Sequence, residues 1–207
     1  MSYLILLEVG RRDLSRLAIT DSYSVHRLIY NLFDDVRSEG EKQQSIPANF
    51  CYADLGGNTL RRQFLVLSDR LPRAQEWQDS SISVKKVEDR YLEEKAYRFK
   101  IIINPTTRDS ATQALKPVKG REAIADWFLQ RAEKNWGFRP NPETLIVDKV
   151  EVQVFTAKNN RRITLAQAHL SGTFEVTDRT LFIKAFKAGI GRGRAFGCGL
   201  LQIVPVK

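Results

Sequence analysis

Gly189-Ile190-Gly191-Arg192-Gly193-Arg194-Ala195-Phe196-Gly197-Cys198-Gly199 holds five of the chain's 12 glycines within eleven residues. Glycine reaches positive φ without a Cβ penalty, so a backbone this rich in it must turn tightly or approach something closely. A dinucleotide fingerprint follows a strand and opens a helix. Here the order is reversed: Asp178 to Lys187 has helical periodicity and Leu200 to Val206 reads as a strand. Rossmann and P-loop readings are thereby excluded, and a plain helix-to-strand crossover needs only one or two glycines. With Arg192 and Arg194 inside it, the loop offers backbone amides and guanidinium groups together, at Gly191, Arg192, Gly193 and Arg194, which suits a phosphate backbone.

Outward from the loop, the second half of the chain reads in order. Tyr97 to Ile103 is a strand stopped by Asn104-Pro105, and Glu122 to Asn135 is a helix with Ile124, Trp127, Phe128 and Ala132 on its apolar face. Leu145 to Phe155 and Arg162 to Phe174 form a long hairpin around Lys158-Asn159-Asn160-Arg161, and the helix, loop and strand above complete a βαββαβ series. The first half repeats that order. Tyr3 to Val9 is a buried strand; Ser22 to Arg37 is a helix capped by Asp21 or Ser22, with Val25, Leu28, Ile29, Leu32 and Phe33 on one face. Phe50 to Leu55 and Gln63 to Leu67 pair across Gly56-Gly57-Asn58, a short helix follows near Arg73 to Trp77, and Ile82 to Val87 is the last strand. Charge clusters and apolar periodicity lapses over Asp89 to Lys95, which predicts two domains, 1–90 and 96–207. The expected fold is α+β, with tandem ferredoxin-like (RRM-like) βαββαβ domains. Element order alone supports the duplication.

At 207 residues, 43% hydrophobic and 28% charged, the chain reads as globular, and its longest apolar runs fall far short of the roughly 18 residues of a membrane span. No secretory signal is evident at Met1-Ser2-Tyr3-Leu4, so a cytoplasmic protein is expected. Cys51 and Cys198 lack a paired ligand spacing and read as buried thiols; no metal and no cofactor are expected. The net charge of +9 is uneven. Residues 1–100 carry 16 basic against 15 acidic side chains, whereas 101–207 carry 17 against 9. Such a one-sided excess favours a polyanionic partner, nucleic acid before membrane.

His26 stands one turn into the first long helix with Tyr23 three residues earlier, so the two share a face. With a reference pKa near 6.5, imidazole exchanges protons at neutrality. His169 alternates with apolar residues in a strand and reads as structural. The tip Lys158-Asn159-Asn160-Arg161-Arg162 is a cationic ribbon end that can enter or straddle a nucleic-acid groove. No DxD, HExxH, ExxE or GxSxG constellation is present, so two-metal nuclease and serine-hydrolase readings lack their residues.

Together these pieces resemble the CRISPR precursor-RNA endoribonuclease of the type I-E Cascade complex, the CasE family of the repeat-processing superfamily. Gly189-Ile190-Gly191, five residues, then Gly197-Cys198-Gly199 and Leu200-Leu201 is similar to that superfamily's glycine signature. Asp21-Ser22-Tyr23-Ser24-Val25-His26-Arg27 resembles the start of its first helix, Tyr97 to Pro105 the strand opening its second domain, and Lys116 to Leu129 the loop and helix after it. The resemblance implies metal-independent cleavage of the CRISPR repeat stem-loop by the ribose 2′-hydroxyl, giving a 2′,3′-cyclic phosphate and a 5′-hydroxyl. It implies catalysis by His26 and Tyr23, with the acid and base roles open between them. It also implies RNA contacts at Arg27, Lys116, Lys119, Lys158, Arg161, Arg162 and the loop, retention of the cleaved RNA, and other Cascade subunits as partners. Two positions depart: Asn31 and Ile102 stand where relatives often carry a basic residue. Arg27, Arg192 and Arg194 are the candidates to replace that charge. A non-catalytic RNA-binding module or a Cascade structural subunit stays open as an alternative, although the RNP1 pattern of a single-strand reader is not found.

Overall fold

Two antiparallel sheets carry the architecture, in a computed structural model that describes residues 1–38, 40 and 49–206. The first is built from β1 (Ser2–Gly10), β2 (Phe50–Gly57), β3 (Arg61–Ser68) and β4 (Ser81–Val87), in the order β4-β1-β3-β2. The second takes β5 (Ala96–Ile103), β9 (Ile146–Ala157), β10 (Arg161–Val176) and β11 (Gln202–Pro205) in the order β11-β5-β10-β9. By rank within each half the two orders are the same, 4-1-3-2. That shared order makes the fold a tandem ferredoxin-like one, as the element sequence predicts.

Alternation along β1 explains why the first sheet is buried on both faces. Ile5, Leu7 and Val9 point to one side, where Val25, Leu28 and Ile29 of α2 (Ser22–Tyr30) cover them. Leu4 points to the other, where Cys51, Ala53 and Leu67 join a core that includes Ile190, Cys198, Leu200 and Leu201. Each fully buried aliphatic side chain contributes about 1.5–3 kcal/mol, so this shared core holds the halves together. Cys51 and Cys198 are the expected buried free thiols, and burial pushes both up to about 12.

α2 is capped as its sequence requires: the Asp21 carboxylate accepts from the Ser24 amide at 2.8 Å, and the Ser24 hydroxyl accepts from the Asp21 amide at 2.9 Å. It ends at Tyr30, well short of the expected Arg37. The chain tightens through Leu32 N–H to Ile29 and Phe33 N–H to Tyr30, both three-residue bonds. Arg73 takes the Leu32 carbonyl with its amide at 2.7 Å and the Asn31 carbonyl with its guanidinium at 3.0 Å. Asp34 and Asp35 then sit where a helix C-terminus disfavours negative charge.

The helix expected near Arg73 to Trp77 does not form. The segment is pinned at both ends, by the Arg73 amide on the Leu32 carbonyl and by Asp13 just past Trp77. This fully buried carboxylate, on the short α1 (Arg11–Arg16), accepts from the Gln78 and Asp79 amides and the Ser80 hydroxyl at 2.7–3.1 Å. The donors that follow Trp77 are committed to Asp13 and not to helical carbonyls. The first half is therefore a ferredoxin-like unit without its second helix among the described residues.

The second half has both, α3 (Arg121–Trp136) and α4 (Arg179–Ala188). Sequence reading passed over three short strands there: the hairpin β6 (Thr106–Arg108) with β7 (Leu115–Pro117), and β8 (Phe138–Pro140), which extends the sheet along the end of β10. Leu200 and Leu201 are buried but precede the last strand. No helix of the described residues is long and apolar enough to cross a membrane.

Candidate active site

All five glycines of the loop have positive φ, between +72° and +88°, so the sequence signal was a backbone requirement. The loop is stitched to both halves. Gly199 N–H donates to the Ile102 carbonyl at 2.7 Å and Ile190 N–H to the Gly199 carbonyl at 2.8 Å. From the first half, the Tyr52 hydroxyl donates to the Ala195 carbonyl at 3.2 Å. A Cβ at Gly199 would lie 2.4 Å from the Ile190 oxygen, whereas one at Gly191 would meet open space.

This loop delivers Phe196 to α2. The Phe196 ring lies 5.6 Å from the His26 imidazole and 4.8 Å from Phe155 on the hairpin. A chain of side chains fixes the arrangement: the Ser22 hydroxyl donates to Gln153, Gln153 to Gln167 at 2.8 Å, and Gln167 to the Phe196 carbonyl at 3.0 Å. Tyr23 and Tyr30 flank the same imidazole, at 6.3 and 5.9 Å between ring centres.

His26 is half-buried, and its Nδ1 is fully covered without a hydrogen-bond partner among the described residues. Burial pulls its pKa below 6.5 and the nearby Arg37 charge adds to that, with the Ala195 carbonyl pulling the other way. The balance favours the neutral imidazole. It opens onto a cleft of about 1060 Å³ lined by Tyr30, Arg37 and Phe50 from the first half and Lys184, Lys187, Arg192, Arg194 and Phe196 from the second.

The expected site residues divide between this cleft and other surfaces. Gly191, Arg192, Gly193 and Arg194 line it with His26. The Arg194 guanidinium is partly occupied, donating to the Ala188 carbonyl at the end of α4 at 2.6 Å. Tyr23 stacks on His26 but does not line the cleft, being packed on the second core. Arg27 is exposed on α2 outside the cleft. Lys158, Arg161 and Arg162 are exposed at the hairpin tip and make no ion pair among the described residues. Lys116 pairs with Asp109 across the β6–β7 hairpin at 2.5 Å, and Lys119 is exposed before α3. His169 is held by Glu151 at 3.1 Å, as befits a structural residue.

Four cleft residues went unnoticed in the sequence. Tyr30 follows His26 by one helical turn, a spacing that marks it in retrospect, and its hydroxyl donates to Asp35 while accepting from Arg37 at 2.6 Å. Asp35 also grips Arg37 through Nε at 2.9 Å, which holds the carboxylate far below its usual range. Lys184 and Lys187 share one face of α4. Nothing in the spacing of Arg37 reveals that the chain returns it to the cleft.

The chain matches the model of the family described as CRISPR associated protein over residues 2–205. It belongs to that family. No curated protein matches it in sequence. Among solved structures, this CRISPR-associated protein resembles a CRISPR endoribonuclease Cse3 bound to 19 nt RNA, with TM-score 0.76, 18% identity and 99% of each chain covered. Thermus thermophilus Cse3, bound to an RNA representing a pre-cleavage complex, gives 0.71 and 16% over 99% of this chain and 100% of the other. Cas6e from Escherichia coli gives 0.64 and 20% over 99% and 100%. At these identities the likeness establishes the tandem ferredoxin-like fold over the full chain.

Proposed function

We propose that this CRISPR-associated protein is an endoribonuclease that cuts precursor CRISPR RNA at the repeat stem-loop without a metal and keeps the product as a Cascade subunit. In this reading residues 1–90 form the domain that carries His26, and 96–207 the domain that grips RNA. The observation that carries the proposal is a half-buried His26 opening onto a cleft lined by Arg192 and Arg194 of the glycine loop. Similar folds named as endoribonucleases bound to RNA, and as parts of a CRISPR RNA-guided surveillance complex, support it.

In the reaction, His26 takes the proton of the 2′-hydroxyl, and that oxygen attacks the adjacent phosphorus. The bond from phosphorus to the 5′-oxygen breaks, leaving a 2′,3′-cyclic phosphate, and the departing oxygen takes up a proton as a 5′-hydroxyl. A depressed imidazole pKa favours the base role, since the proton acceptor must be neutral at working pH. Tyr23, stacked on His26 at 6.3 Å between ring centres but outside the cleft lining, is the second member and orients the imidazole. Arg192 and Arg194 balance the charge of the phosphorane, a task that fixed cations in a partly dry cleft perform well. The hairpin cations Lys158, Arg161 and Arg162 hold the stem.

Incubation of purified protein with a labelled repeat stem-loop in excess EDTA tests the proposal. We expect one cut with a cyclic phosphate end, slowed about 10²–10⁴-fold in His26→Ala with RNA affinity kept, and a smaller loss in Tyr23→Phe. Tight binding with no cut by the wild type would leave an RNA-binding subunit and retire the catalytic reading.

A further inference from the structure

We propose that the cleft beside His26 is a subsite for unpaired RNA: the strand flanking the scissile bond runs along α4, with its phosphates on Lys184, Lys187 and Arg192. The inference rests on the endoribonuclease reading and adds a second RNA contact, separate from the hairpin.

Charge is the first argument. Lys184 and Lys187 are exposed, three residues apart on α4, and both line the cleft. Neither they nor Arg192 makes an ion pair among the described residues. Asp69 is the one carboxylate among the described lining residues, and Arg70 neutralises it at 2.9 Å. Uncompensated cations in a concave, partly apolar wall concentrate the potential that attracts a polyanion.

The second argument is the kind of surface between them. Tyr30, Phe50 and Phe196 are half-buried aromatics in the same lining, each braced on one side, by Arg37, Phe33 and Phe155 respectively. Aromatic faces interleaved with cations mark single-strand binding, since every unpaired base has a face to stack whatever its identity. A paired A-form stem hides its base faces and is met instead through 2′-hydroxyls and phosphates across the minor groove. Because His26 opens onto the same cleft, the occupying strand is the one that continues from the reacting phosphate.

The test compares a repeat stem-loop carrying its single-stranded flanks with the same stem-loop trimmed blunt. Affinities are measured at 50 and 200 mM salt in a His26→Ala background, with and without Lys184→Gln/Lys187→Gln. Each single-strand phosphate contact contributes about 0.7 to the salt slope. Two lost contacts lower that slope by about 1.4, so the parent should lose about sevenfold more affinity for the flanked RNA than the variant does over this salt range. The blunt stem-loop should bind parent and variant alike. Equal losses on both RNAs, no loss on either, or a parent that does not distinguish them would overturn the subsite. Failure of the parent to bind either RNA would overturn the endoribonuclease reading itself.

Discussion

In the proposed reaction His26 is the residue on which the chemistry turns, and its environment fixes the sign of its pH response. Burial and the Arg37 charge both disfavour imidazolium, so the neutral form persists below pH 6.5. If His26 is the base, single-turnover cleavage in EDTA is flat near pH 7 and falls only as acidity reaches that lowered value. Removing the charge with Arg37→Met should move the acid limb upward, toward the ordinary imidazole range. A rate that instead falls between pH 6 and 8 would make His26 the acid. Arg37 also illustrates what spacing hides. Tyr23, His26 and Tyr30 lie on one helix, so their proximity follows from its period. Arg37 reaches the cleft only because α2 stops at Tyr30 and Asp35 and Tyr30 then hold the guanidinium.

At the scale of elements, the glycine loop and the Asp13 anchor make contrasting predictions. Gly191→Ala meets no atom and should cost only the left-handed backbone penalty, about 1–2 kcal/mol, with Phe196 kept against His26. Gly199→Ala drives a Cβ into the Ile190 oxygen, so the loop must shift and take Phe196 from His26. Chemical denaturation and cleavage rates should both separate the two variants; equal losses would contradict the packing described. Burial alone would raise the Asp13 carboxyl, yet its bonds to Ser80, Asp79, Arg16 and Gln78 hold it far below 3.8. Its folded pKa is depressed, so its stabilisation is present above about pH 4 and lost as pH falls below that. Asp13→Asn should cost roughly 2–4 kcal/mol at neutral pH and flatten the fall in melting temperature between pH 5 and 2. These elements also show how far the sequence could be read. Glycine spacing and strand alternation are local signals, and the loop, β1 and the long hairpin follow from them directly. The missing helix after β3 was not legible, because the groups that pin the two ends of that segment, the Leu32 carbonyl and the Asp13 carboxylate, lie some 40 and 65 positions earlier.

Over the whole molecule, charge is divided unevenly between the two halves. The excess of basic residues lies in 101–207, and its hairpin tip projects Arg161 and Arg162 without carboxylate partners among the described residues. Arg161→Glu/Arg162→Glu should weaken stem-loop binding at least about tenfold at moderate salt and leave the melting temperature unchanged. Unaltered affinity would remove the hairpin from the RNA-binding surface. The basic half was visible in composition. Its junction with the other half was not, since Lys184, Lys187 and Arg37 converge through packing between residues about 150 positions apart.

That convergence has a consequence for the order of events during synthesis. Domains fold from the N-terminus as the chain emerges, so α2 and the first sheet are complete long before Phe196 is translated. Until the loop leaves the ribosome and docks on Tyr52, His26 lacks one wall of its cleft and the cations that line it. A nascent or truncated chain therefore carries its imidazole without that wall, and on the proposed reading it can cut RNA only once the glycine loop has docked.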